Sequence, residues 1–519
     1  MCLEDRPLLE PNAAGIDIGA REIFAAVPPG RDAHPVRVCA TFTEDLQQLA
    51  DWLVSCGITT VAMESTGVYW IPLFDILEAR AIKVCLVNAR HMKNVPGRRT
   101  DWHECQWLQY LHSVGLLRAA FRPEPDVTAV RTIMRHRQEL VQMSSQHILH
   151  IHKALTQMNL QIHHVIDDIT GMTGLAIVDA ILAGKRDPGE LAKLRNGRIK
   201  ASEETIRKSL VGNWREEHLF TLRQSRELYR SYQEQISKCD QQIEKLIGGF
   251  EPRVDPETKP LPPDRKRYRS DKRRAKRAGR ENSGFNLRTE AYKLFGVDVT
   301  QIPGLETMAF RLFGEVGRDM SKWPTADHFA SWQGLCPDND ISAGRVLWRG
   351  TRKLQNQAGQ LFRQAAYSLH HSLTPMGDYL RRMKARLGPA AAITATAHKI
   401  AVIFYTIVKN QVEYDETIWA TRDIKRQQRI EAKLKRQAHQ LGYQLAGCGK
   451  GNSPRPEATH SLAGSSIASG AMHKARRLSK VAGPLTMAVT NICKLLILRS
   501  TGLQFCPISA FESPFPAAC

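Results

Sequence analysis

Apolar and polar residues alternate in three different periods along the chain. From Ala13 to about Leu117 short apolar runs, "AAGIDIG", "EIFAAVPP" and "VRVCATF", predict three consecutive strands, and Leu46, Leu49, Ala50 and Leu53 then recur at helical spacing. Strand and helix alternate after that: "ITTVAME" and "IKVCLVN" read as strands, "WIPLFDILEAR" and "DWHECQWLQYLHSVG" as helices. The order βββαβαβα describes an α/β domain over residues 13–122, a short sheet with helices packed on it.

From about Asp126 the period becomes seven. Val127, Met134, Val141, Ile148 and Leu155 form one row, and Val130, Ile151 and Met158 its companion, with Arg137 and Ser144 as polar interruptions. A second long helix is predicted near 215–247, where Leu222, Tyr229, Ile236 and Ile243 repeat every seven. This helical, coiled-coil region (126–250) is compatible with an antiparallel hairpin, a coiled coil between molecules or an ordinary bundle core. Residues 251–290 interrupt the pattern as a basic linker or insertion: ten Lys or Arg stand against one acid between Arg265 and Arg280. Residues 291–420 return to helical periodicity as a mostly α-helical domain, broken by the basic loop "CPDNDISAGRVLWRGTRK". Residues 421–519 read as a basic tail, partly without regular structure.

Charge narrows the partners. Lys and Arg number 73 and Asp and Glu 52 in 519 residues, a net charge of +21, which favours a polyanion such as nucleic acid. The start "MCLEDRPLLEPNAAG" lacks the layout of a signal peptide, and "GPLTMAVTNICKLLILRS" is cut by Lys494, so a soluble, cytoplasmic protein with no membrane partner is expected. Eleven cysteines without CxxC pairs argue against a disulfide framework or a zinc ribbon.

Four acids carry the first candidate chemistry. Asp17 lies within an apolar strand, where a carboxylate is costly unless something balances it; Glu64 ends the strand "TTVAME"; Asp101 and Glu104 are three apart at a helix start. Converging carboxylates repel, and Mg²⁺ or Mn²⁺ offsets that repulsion and suits oxygen ligands. Taken alone, Asp101 is as readily an N-terminal helix acid or N-cap. His103 and Cys105 are placed to either side of the stripe carrying Glu104, and no paired spacing supports zinc there.

A serine carries the second. Ser342 lies beside Gly344 in a loop between helices, followed by Arg345, Arg349, Arg352 and Lys353, cations able to offset charge on a phosphoryl group. A lone loop serine is otherwise a turn residue. Two glycine-containing stretches, "IPGLETMAFRLFGEVG" and "ITGMTGLAIVDAIL", are either phosphate-binding turns or plain helix junctions.

The frame and its acids resemble the RuvC-like branch of the ribonuclease H fold. More closely, "GIDIG", "AMESTGVYW" and "RRTDWHECQWLQ" resemble the DEDD transposases of insertion sequences, a family that includes the Piv and MooV invertases. The resemblance spans about residues 13–420 and implies Asp17, Glu64, Asp101 and Glu104 as metal ligands. Glu104 stands where the family usually has Asp. "ISAGR" resembles the family's "SGGK"-like loop, with Ala343 for Gly and Arg345 for Lys, and implies Ser342 as a nucleophile forming a transient phosphoserine link to DNA. The expected function is a transposase or site-specific recombinase, nucleoid-associated. It is expected to contact element ends and target DNA, Arg98 and Arg99 included, to take a structured non-coding bridge RNA, and to work as a dimer or tetramer with a composite site. A junction-resolving endonuclease using metal-activated water and a catalytically inactive nucleic-acid-binding remnant are the alternatives.

Overall fold

Strands form where the apolar runs place them. In this computed structural model β1 (Ala13–Ile18), β2 (Glu22–Ala26) and β3 (Val36–Ala40) are antiparallel neighbours, and β4 (Thr60–Glu64) and β5 (Lys83–Val87) continue in parallel beyond β1, in the order β3-β2-β1-β4-β5. The structure describes residues 7–65, 67–87, 100–263, 286–348, 350–352 and 356–440, without the side chains of 417–427. The basic run 265–280 and the segment around Lys494 lie outside the described residues.

Alternation along the strands splits the sheet into two faces. Ile16, Ile18, Val61 and Met63 point to one side, where α1 (Thr43–Ser55) and α2 (Trp70–Ala79) cover them with Leu46, Leu49, Leu53, Leu73 and Leu77. Ala62 and Val87 point to the other and meet Leu108 and Leu111 of α3 (Asp101–Ser113). The strands to the two sides of β1 are reached by chain running in opposite directions from it, which makes the β1/β4 edge a topological switch point.

The heptad rows belong to two 33-residue helices, α4 (Pro125–Gln157) and α8 (Glu216–Gly248), with three short helices between them: α5 (Met172–Leu182), α6 (Pro188–Lys193) and α7 (Glu203–Ser209). The long helices pack antiparallel within one chain. Val127 and Val130 share a core with Ile243 and Ile247, Leu140 with Ile236 and Cys239, and Ile151 and Leu155 with Leu219 and Leu222. Both polar interruptions are paired across this seam. Arg137 donates from Nε and Nη2 to the two carboxylate oxygens of Asp240 (2.6 and 3.2 Å), and Gln233 Nε2 donates to Ser144 Oγ (3.0 Å). Pairs of this kind in an apolar seam fix its register, because any slip leaves them unmatched.

The C-terminal part is helical, as its periodicity predicts: α9 (Leu287–Phe295), α10 (Ala309–Val316), α11 (Ala326–Trp332), α12 (Gln357–Ser368), α13 (Pro375–Leu387) and α14 (Pro389–Asn410). By length and composition α14 is apolar enough to cross a membrane, yet half of its apolar window is buried inside the protein. Its Phe404 packs with Phe329 and Phe362 in the core. The last described helix, α15 (Thr417–Gln440), exposes Arg429, Lys433 and Arg436.

Candidate active site

Gly15 determines where α3 lies. It sits on β1 under the helix, and a Cβ built there would stand 2.2 Å from both the Cys105 carbonyl oxygen and the Gln109 nitrogen, so only glycine permits this approach. Gln109 Nε2 also donates to the Ala13 carbonyl (3.2 Å). The contacts therefore run in opposite senses along the two elements: Gln109 against Ala13, then Cys105 against Gly15. Two strand residues rise about 6.6 Å and four helical residues about 6 Å, so the next step brings the first turn of α3 to Asp17.

That first turn is set by its cap. Thr100 is extended (φ −151°, ψ 158°) and its hydroxyl accepts from the His103 backbone N–H (3.4 Å). The N-cap is thus Thr100, and of the two simple readings of Asp101, cap or N-terminal helix acid, the second holds: Asp101 is the first helical residue. The carboxylate oxygens of Asp17, Asp101 and Glu104 all lie within 4.8 Å of one another. Two oxygens bound to one Mg²⁺ at about 2.1 Å sit no more than about 4.2 Å apart. The oxygen-only set thus fits a hard divalent cation with at most a small closure.

Glu64 stands outside that triplet. It is buried and ends β4 on the face that also carries Ala62. The parallel register pairs Ile16 with Met63, so one step further Glu64 is level with Asp17 on the adjacent strand. Both acids occupy carboxyl ends of strands at the switch point, where α/β sheets hold their ligands.

His103 and Cys105 have other uses. Thr100 Oγ1 and His103 Nδ1 are hydrogen-bonded at 2.6 Å, and the Cys105 thiol donates to the Trp102 carbonyl (3.1 Å). Burial, with the charges of Asp17 and Asp101 adding to it, pushes the Cys105 thiol up to about 12, far from the thiolate that zinc requires. One expectation is corrected here. Cys105 is not turned aside from the buried stripe but is fully buried, packed with Ala26 and Val36, because the helix crosses β1 at that point.

Ser342 lies at the end of a strand and not in an irregular loop, and this too is a correction. It ends β6 (Asp340–Ser342), pairs with Arg345 at the start of β7 (Arg345–Trp348), and is joined to it by the two-residue turn Ala343-Gly344. Both turn residues have positive φ, 48° and 78°, the left-handed pattern that matches the twist of a hairpin. Every residue of both strands is exposed, and among the described residues the hairpin shares no extensive contact with β1, β4 or α3. Arg345 is exposed, and Arg352 forms an ion pair with Asp338 (3.5 Å). Arg98, Arg99, Arg349 and Lys353 lie outside the described residues.

The glycine turn of "IPGLETMAFRLFGEVG" is a packed junction. Gly304 is buried with its N–H given to Glu306 (3.1 Å), and a Cβ on it would stand 2.6 Å from the Ala365 carbonyl. Gly174, in the other stretch, lies equally close to the Ile169 carbonyl (2.2 Å for an added Cβ). Neither Gly15 nor Thr100 was among the residues singled out from the sequence. A glycine inside an apolar strand and a threonine just ahead of a helix were the available signals.

Carboxylates gathered at the strand ends of a mixed sheet, followed by a helical domain bearing an exposed serine hairpin, are the arrangement that the resemblance to DEDD transposases leads one to expect. Residues 14–160 match the family model of the DEDD transposases of the IS110 group, and residues 298–380 match the one described as transposase IS116/IS110/IS902 family. The chain belongs to the IS110-family DEDD transposases, enzymes that act on DNA. No curated protein matches the chain closely.

Proposed function

We propose that this transposase exchanges DNA strands through a transient phosphoserine link. Ser342 is the nucleophile, and a divalent cation, Mg²⁺ or Mn²⁺, is held by Asp17, Asp101 and Glu104 with Glu64 beside them. The observation that carries the reading is the convergence of three carboxylates at the β1/β4 switch point, inside the segment that matches the DEDD transposases. When bound, the cation supplies Lewis-acid stabilisation of charge growing on phosphoryl oxygens. The protein's own part is to hold the acids in place: Gly15 seats α3, and Thr100 starts it so that Asp101 and Glu104 face Asp17.

At Ser342 the Oγ–phosphorus bond forms as a deoxyribose–oxygen–phosphorus bond breaks, the hydroxyl proton leaves to solvent and a sugar hydroxyl is released. A sugar hydroxyl of the other strand then attacks the phosphoserine and regenerates the serine. The number of phosphodiester bonds is unchanged, so the exchange needs no external energy source. Arg345, paired with Ser342 across the hairpin, offsets charge at the phosphorus, and Arg352 joins it once released from Asp338.

The sheet order and the helices on both its faces support a RuvC-like, ribonuclease H arrangement for residues 13–122. Among the described residues the hairpin makes no extensive contact with the elements that carry the acids, which supports a composite site in a dimer or tetramer, one protomer's serine serving another's carboxylates. The heptad seam is buried within its own chain, which leaves the outer faces of the two long helices, with Met143, Leu149 and Leu228 exposed, for contact between protomers. The net charge of +21 leaves capacity for a bridge RNA as well as DNA at element ends and target, in the nucleoid of the cytoplasm.

Incubating purified protein with Mg²⁺, DNA ends and co-purified RNA tests the reading. Ser342→Ala is expected to abolish the covalent protein–DNA adduct and strand joining, and Glu104→Gln to abolish cleavage while Glu104→Asp retains it. Cleavage that persists in Ser342→Ala would make the enzyme a water-using, junction-resolving nuclease. Salt-dependent binding without any cleavage would make the chain an inactive remnant.

A further inference from the structure

A polar cleft of about 380 Å³ lies between α4, α10 and α12, lined by none of the four candidate acids and no residue of the serine hairpin. Its two long walls are helix faces rich in one residue type. Gln138 and Gln142 project from α4, and Gln357, Gln360 and Gln364, at spacings of three and four, from α12. The floor is closed where α10 meets α4: a Cβ on Gly314 would stand 3.0 Å from Met134 Sδ and 3.4 Å from Arg131 Cα.

Charge in the cleft is unevenly satisfied. Arg135 donates from Nε and Nη2 to both carboxylate oxygens of Glu315 (2.9 and 2.8 Å), which ties α4 to α10 and occupies that acid. Arg131, one turn earlier, is half-buried and makes no hydrogen bond or ion pair among the described residues. Burial, followed by repulsion from Arg135, holds its guanidinium below the usual arginine range although Glu315 attracts it, and a bound anion would offset both.

A surface that only tracks phosphates would be lined by Lys and Arg alone, a protein-docking face would have an apolar centre, and a cation site would gather carboxylates; here Arg131, Arg135 and Arg311 stand with Glu139 and Glu315, so neither sign prevails. Glutamine amides instead present a donor and an acceptor side by side, the arrangement that meets the edge of a nucleobase. The volume, at the lower end of ligand-sized cavities, holds one nucleotide and excludes a duplex. We infer that this cleft binds a single unpaired nucleotide of a nucleic-acid strand, its base edge against the glutamine amides and its phosphate on Arg131. The strand is DNA opened during exchange or a single-stranded part of an RNA; the chemistry is shared, and the assay separates the two.

The test uses the full chain, fluorescently labelled short single-stranded DNA and RNA oligonucleotides, and a blunt duplex of the same sequence, in anisotropy titrations at several salt concentrations. Gln138→Ala combined with Gln364→Ala is expected to weaken binding of one single strand by about ten-fold or more while duplex binding stays at the parent value. Arg131→Gln should weaken the same strand and lower its salt slope by about one ion. Whichever strand responds, DNA or RNA, names the source. Single-strand affinities at the parent value in the glutamine variant, with an unchanged melting curve, overturn the inference, as does an equal loss for strand and duplex. Photo-crosslinking with thiothymidine or thiouridine oligonucleotides gives a second reading that needs no variant. Adducts on residues 131–142 or 357–364 support the cleft, and adducts confined to other peptides refute it.

Discussion

Replacing Gly15 by Ala puts one methyl group into the place where the site is assembled. The new Cβ would stand 2.2 Å from the Cys105 oxygen and the Gln109 nitrogen and 2.8 Å from Gln109 Cα. Comfortable contact begins at roughly 3.4 Å, so α3 must retreat by more than about 1 Å or the strand must bend. The obstacles are backbone atoms and no side chain can swing away, which puts the cost near the upper end for overpacking, about 3 kcal/mol. Losing the Gln109 bond to the Ala13 carbonyl adds about 1 kcal/mol. A loss of that size lowers the melting temperature of a domain of this size by about 10 °C or more, readable by circular dichroism. Activity should suffer beyond stability, because Asp101 and Glu104 ride on the displaced helix while Asp17 stays on the strand, and a displacement of about 1 Å costs roughly 100-fold in rate. Ile16→Val, one residue away but on the opposite face, should cost only about 1 kcal/mol and leave DNA cleavage at the parent rate. A Gly15→Ala protein with the parent melting curve and the parent cleavage rate would refute the reasoning that the helix is seated by that glycine.

Asp240→Ala leaves Arg137 partly buried without its carboxylate and should destabilise the helical pair by about 3 kcal/mol in denaturant unfolding, whereas changing both residues to Leu should recover most of that loss. Ala343→Gly removes a left-handed non-glycine residue from the serine hairpin and should slow amide hydrogen exchange in residues 340–348, by relieving roughly 1 kcal/mol of strain. His112, His147, His152 and His398 all have their pKa values held down, burial being the largest cause in each. The unfolded chain therefore binds more protons than the folded one as pH falls below about 6.5, so stability is highest above that value and declines below it. His112→Gln, which keeps a partner for the Thr60 hydroxyl, should flatten part of that slope in melts from pH 7.5 to 5.

What the sequence reveals depends on whether a residue's burial repeats along the chain. The sheet and the long helices are legible because their apolar residues recur every two or every seven positions, and each recurrence is paid in buried area against one neighbour. The hairpin carrying Ser342 has no such signature. Ile341, Val346, Leu347 and Trp348 all face solvent, and its strands are three and four residues long, so nothing in their pattern separates strand from loop. Its one local clue is the pair Ala343-Gly344, weak because alanine is an uncommon left-handed residue.

The acids show the same division within a single site. Asp101 and Glu104 are legible as a pair because three residues along a helix return to nearly the same face. Their meeting with Asp17 depends on the crossing of α3 over β1, which no periodicity encodes. That crossing is set by the absence of a side chain at Gly15, by the bond from Gln109 to Ala13 and by burial of Cys105 beneath the helix. A small residue, a backbone carbonyl and a thiol carry no charge, yet they decide which carboxylates come together. The position of Glu104 follows from the same logic. Its arm is one methylene longer than the aspartate usual at that place in the resemblance, yet its carboxylate still reaches the triplet. A helix seated closely on the strand by glycine, with its first turn fixed by the Thr100 cap, leaves the reach of the side chain as the variable that adjusts.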